Sequence, residues 1–176
     1  MTRSHYRFLI LEQLLGSALF NLALNGAIGW LAFKQLTRVP LWGIQSIASD
    51  TLVTSFMLPF MTCVVVTQTT YWQVRSKRLQ ALGRHAHRQL ARLPRRALAR
   101  SVLFGSLGLA IAGPVLALLA AASVAPMSLR DFIIFKATYA AVMAAILTPP
   151  IALWALGDAP APNQADTTSP RDAPPC

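Results

Sequence analysis

The run TLVTSFMLPFMTCVVVTQTTY, from Thr51 to Tyr71, carries no charged side chain from end to end. At 1.5 Å per residue, a helix of about twenty such residues crosses the roughly 30 Å hydrocarbon layer of a bilayer. Lipid offers nothing to bond peptide groups, so a helix follows from the apolarity itself. Leu14–Phe33, Ser101–Leu129 (with a core ending near Ser123) and Ala137–Gly157 read the same way. The expectation is an all-α membrane protein with spans at about residues 12–33, 47–71, 101–123 and 132–157. These form one four-helix domain over residues 1–157, with a basic connector at 72–100.

Composition supports that reading. Of 176 residues, 55% are hydrophobic and 12% charged, against roughly 25% charged in a soluble domain. The net charge is nevertheless +10, from 16 Lys+Arg against 6 Asp+Glu. Apolar and basic residues lie in separate blocks, which argues against a soluble enzyme, a disordered chain or a nucleic-acid-binding domain. Cys63 sits in an apolar run and Cys176 is the last residue, so neither a disulfide framework nor a zinc site is expected. Glu12 and Gln13 interrupt the first apolar stretch, and no small-residue cleavage site follows, so it reads as an uncleaved span rather than a signal peptide.

Charge sets direction. Arg75, Lys77, Arg78, Arg84, Arg88, Arg92, Arg95, Arg96 and Arg100 crowd between spans two and three. The other loops hold only Lys34, Arg38 and Arg130, with Lys136 at the edge of span four. Positive residues favour the cytoplasmic side, which would put both termini and the connector there. Trp42 would then lie at the outer interface, and Tyr71, Trp72 and Trp154 at the inner one. The tail, DAPAPNQADTTSPRDAPPC from Asp158, has almost nothing to bury and is expected to be disordered.

The connector has its own periodicity. Leu79, Leu82, Ala86, Leu90, Leu93 and Ala97 fall at helical steps, with Arg84, Arg88, Arg92 and Arg96 on another face. Such a helix lies on the inner leaflet and contacts anionic phospholipid headgroups. Alternatively, its arginines only fix topology and cap helices. Without interleaved aromatics, nucleic acid is not an expected partner. His85 and His87 are solvated neighbours of that face or a pH sensor.

Polar residues within the spans define a candidate site. Ser17, Asn21, Asn25 and Gly29 are four apart and share one face, as do Ser46, Asp50 and Thr54. Asparagine is costly in hydrocarbon, so the first stripe should face protein, as either packing surface or solute route. Gly108 with Ala112, and Ala137 with Ala141 and Ala145, offer close-packing surfaces. Pro59, Pro114 and Pro149–Pro150 either kink their helices or expose backbone for a transporter site. Asp50 and Lys136 have matching depths, and either pair across spans two and four or snorkel separately to the surface. Shifting residues 40–62 by 86 matches Pro40 to Pro126, Ile47 to Ile133, Met57 to Met143 and Thr62 to Thr148, and sets Asp50 opposite Lys136. This would be a parallel repeat of two-helix units.

The stretches VPLWGIQSIASDT (Val39–Thr51) and LPFMTCVVV (Leu58–Val66) resemble small four-span bacterial inner-membrane proteins often labelled permease. The resemblance centres on Pro40, Trp42, Gly43, Ser46 and Asp50 and implies solute passage without implying particular site residues. No G-x-S-x-G, phosphate loop or H-E-x-x-H is present, so neither enzymatic activity nor a cofactor or metal is expected. Two functions remain open. One is a permease-like small-solute transporter working as an oligomer, with Asn21, Asn25, Asp50 and Thr54 along its route. The other is a membrane interaction protein whose basic connector binds anionic lipid or a protein partner.

Overall fold

A computed structural model describes residues 14–76 and 97–158, which form four helices and one short strand pair. In chain order these are α1 (Ser17–Phe33), β1 (Arg38–Val39), α2 (Ile47–Arg75), α3 (Ala97–Ala121), β2 (Met127–Ser128) and α4 (Leu129–Asp158). With α1 counted from Leu14, all four helices are long and apolar enough to cross a membrane. The chain is a multi-pass, all-α membrane protein. Asp158, expected to open the tail, instead ends α4, because its carboxylate is held by Arg100.

Local chemistry fixes where the helices begin. Gly43 takes a φ of +127°, open only to glycine at little cost, and turns the chain toward α2. Ser46 then caps α2: its hydroxyl accepts from the Ser49 N–H at 3.2 Å, while Ser49 Oγ accepts from the Ser46 N–H at 3.3 Å. Asp50 falls in the first turn, where the helix dipole favours a carboxylate. At α4, Ser128 Oγ accepts from the Asp131 N–H at 3.2 Å and donates to Asp131 Oδ2 at 2.7 Å.

α2 and α4 occupy the centre of the bundle. In their most apolar windows 44% and 61% of residues are buried, against 17% and 28% for α1 and α3. α1 packs on α4, and α3 packs on α2. Each outer helix buries a stripe with one residue in four: Asn21, Asn25, Gly29 and Phe33 on α1, Phe104, Gly108, Ala112 and Leu116 on α3. The tightest approach is Gly108 on α2, where an added Cβ would lie 1.9 Å from the Ser55 carbonyl oxygen. Pro59, four residues after Ser55, lacks the N–H that would ordinarily bond that oxygen, so α3 docks at a carbonyl its own helix leaves open. α2 and α4 continue through Pro59 and Pro149–Pro150 without interruption. On α1, Gly26 meets the Ala137 side chain.

The helix contacts follow the pattern that exchange of two similar two-helix units would give. β1 and β2 pair antiparallel with Arg38 opposite Ser128 and Val39 opposite Met127. Continued one step, that register would set Pro40 opposite Pro126, and 126 − 40 = 86, the separation of Asp50 and Lys136. Residues equivalent by a two-fold can face each other only at its axis. The strand register and the charged pair lie where a two-fold along the helices between α2 and α4 would place its axis. Exchange of the units turns the α1–α4 contact into the α3–α2 contact, as found.

Two apolar clusters fill the bundle. Phe33, Val39, Ile47, Met127 and Phe132 close the end carrying the strands, with the Phe33 and Phe132 rings 4.6 Å apart. Leu58, Cys63, Phe104, Met143, Leu147 and Ile151 belong to the larger cluster beyond. Trp154 packs edge-on against Phe104 at 5.7 Å, so it serves this core, whereas Trp42 and Trp72 stay exposed. Cys63 is fully buried, which makes it an internal reporter of folding. In a Cys176→Ser background, maleimide should leave Cys63 unmodified in mild detergent and modify it in SDS. Rapid labelling without SDS would contradict the packing of α2.

Candidate functional site

Lys136 lies seven residues into α4 and is 3% exposed. Its ammonium donates to Asp50 Oδ1 and, at 3.5 Å, to Thr54 Oγ1. The pair therefore links α4 to α2, and the lysine does not snorkel. Gly29 of α1 makes room for it: a Cβ there would come within 2.9 Å of Lys136 Cδ. One turn along, Tyr139 Oη and Ser55 Oγ hydrogen-bond at 2.6 Å. Ser55 spends its own proton on the Thr51 carbonyl at 2.6 Å, so the tyrosine donates. This contact carries no signal in the sequence beyond residue type, whereas Gly29 continues the four-residue spacing of Asn21 and Asn25.

Asn21 and Asn25 face protein, as their cost in lipid requires. Their amides donate within α1, Asn21 to the Ser17 carbonyl at 2.9 Å and Asn25 to the Asn21 carbonyl at 3.0 Å. Both line a cavity of 470 Å³ between α1 and α2, which also reaches Asp50, Thr54 and Lys136. The structure thus gathers Asn21, Asn25, Asp50, Thr54 and Lys136 around one space. Ser46 is not among its lining residues; it caps α2 and donates to the Gly43 carbonyl at 2.8 Å.

The cavity opens sideways. Its rim carries Phe20, Leu24, Val53, Met57, Met61 and Val65, all exposed on the bundle surface. Toward the strands, Phe132 lies one turn before Lys136 and Ile47 one turn before Asp50, both with no exposed surface. In the other direction stand Ala140, Leu58 and Met143. The charged pair is therefore closed off by apolar packing on the strand side and, between α2 and α4, on the other, while the cavity runs past it along α2.

A second charged group was hidden among the connector cations. Arg100 is 1% exposed and donates to Asp158 Oδ2 at 2.8 Å and to Thr67 Oγ1 at 3.1 Å, joining α3, α4 and α2. It is bundle structure, where composition counts it only as a topology charge. Arg84, Arg88, Arg92 and Arg96, with His85 and His87, lie outside the described residues. Among the described residues, no three His, Cys, Asp or Glu side chains come together as metal ligands would. No protein-family model matches the chain, nor does any curated protein or solved structure.

Proposed function

We propose that the chain is a permease-like transporter subunit whose solute site is formed by Lys136, Asp50, Thr54, Asn25 and Asn21. One observation carries this reading: a buried ion pair between the two central helices borders an open cavity instead of being packed on every side. A pair kept only for packing gains nothing from such a cavity, because intramembrane charges are costly and cluster along substrate pathways. The parallel repeat adds support, since transporters of that design bind where their repeats meet. The chain acts as an oligomer, because one four-helix bundle with apolar plugs on its axis encloses no route of its own. It sits in a bacterial inner membrane with the arginine-rich connector in the cytoplasm and the strand pair outward. Its role is passage rather than catalysis.

Proteoliposomes provide the test, with uptake of small zwitterions and amines and movement of a short-chain fluorescent lysolipid as readouts. Transport above empty vesicles is expected. It should fall at least five-fold in Asn25→Val and Thr54→Val, which leave the ion pair in place. Absence of transport across the panel, or indifference to both substitutions, would remove the proposal. A monomer by single-molecule photobleaching in lipid would remove its oligomeric part.

A further inference from the structure

The site's substrate class follows from how it is reached and what it leaves unpaired. We infer that the α1–α2 groove takes a single-chain amphiphile with a zwitterionic head, entering sideways from the bilayer. This rests on the groove being a binding site, and names what it binds.

Access comes first. Apolar packing closes the Lys136–Asp50 pair on the strand side and between α2 and α4, and the described cavity reaching it opens between α1 and α2. In a membrane that opening faces acyl chains, so a ligand using it must be soluble in lipid. The groove is also elongated. It runs along α2 from Asp50 to Val65, about 22 Å at 1.5 Å per residue. Apolar side chains, Phe20, Leu24, Met57 and Met61 among them, make up most of its walls, with Ser17, Asn21 and Thr62 between them. That shape and lining suit one extended hydrocarbon chain.

The head is defined by the polar end. Lys136 and Asp50 neutralise each other, so a head with net charge would leave that charge unmatched beside an already neutral pair. Unused bonding capacity remains on both partners. Lys136 bonds Asp50 and Thr54, and an ammonium has three protons. Asp50 keeps its second oxygen, and Asn25 its amide oxygen, free of hydrogen bonds among the described residues. A free donor beside free acceptors matches a head with an anionic oxygen and an ammonium. Phosphoethanolamine is the type.

Native mass spectrometry of the full-length protein gives the test, with lysophosphatidylethanolamine, lysophosphatidylglycerol and monoacylglycerol as probes at equal concentration. The first should be retained at least ten-fold over the second. Met57→Trp/Met61→Trp, which fills the groove, should cut that retention at least five-fold, while Leu118→Trp on the exposed face of α3 should leave it unchanged. Equal retention of the anionic lipid, or indifference to the groove-filling pair, overturns the inference. So does efficient disulfide cross-linking of two copies through Met61→Cys, which would show that a second chain covers the groove. Binding is read here without flux, so the two proposals fail separately: selective retention without transport sinks only the transporter reading, and transport without selectivity sinks only this one.

Discussion

Lys136→Met should be among the most damaging single substitutions in this chain, lowering stability by about 3–5 kcal/mol, because it strands Asp50 beside α4 without a counter-charge. The side chains of the pair are only 4% and 15% exposed, so water replaces little of the missing partner. Asp50→Leu should cost a comparable amount by stranding the ammonium. Combining the two removes both charges, and most of the loss should be recovered, since neutral pairs of similar volume often replace buried ion pairs without penalty. The SDS concentration at which Cys63 becomes reactive provides the measurement. Additive losses would mean that the two side chains do not stabilise the bundle as a pair. The charge swap Asp50→Lys/Lys136→Asp is a stricter test. Positions related by the two-fold should exchange charges and regain part of the stability, though not all, because Gly29 accommodates a lysine stem only from the α4 side. A swap no better than either single substitution would argue against the two-fold.

The parts of this arrangement that were legible in sequence are those set by solvent. Uninterrupted apolar runs locate the helices because lipid cannot bond a bare backbone. The four-residue spacing of Asn21 and Asn25 locates the buried face of α1 because an amide in hydrocarbon is penalised. Pairing of Asp50 with Lys136 could be posed from matching depth and the 86-residue shift, but not decided against snorkelling. The deciding feature is the capping cluster around Phe33 and Phe132, assembled from residues far apart in the chain. Periodicity groups Ser46 with Asp50, yet Ser46 stands at the helix boundary, where a serine is consumed by capping. Arg100 was one arginine among many in the connector. Only the packing of α2, α3 and α4 distinguishes it, by bringing Thr67 and Asp158 to its guanidinium.

The same limit applies to the small residues, where sequence identifies candidates but not consequences. Gly108→Val should prevent α3 from docking, with a loss at or above the upper end of the roughly 1–3 kcal/mol typical of overpacking. The reason is the identity of the obstacle. An added Cβ would fall 1.9 Å from the Ser55 carbonyl oxygen and 2.9 Å from its carbon, and backbone cannot swing aside as a side chain can. Even Gly108→Ala requires the helices to separate by more than an ångström, which would also loosen Phe104 and Ala112 on the same stripe. At Gly105 the nearest atoms are the Phe56 ring at 2.7 and 2.8 Å, with the Phe56 carbonyl oxygen at 3.2 Å, so Gly105→Ala should be milder because the ring can rotate away. Gly113 has nothing within 4 Å of an added Cβ, and Gly113→Ala should be neutral or gain up to about 1 kcal/mol through helix propensity. Cys63 reactivity in mild detergent should therefore rise in the order Gly113→Ala, Gly105→Ala, Gly108→Ala, Gly108→Val. A Gly108→Val protein with Cys63 still protected would mean that α3 does not dock on Ser55 and Pro59, and the two-fold exchange of outer helices would lose one of its two contacts.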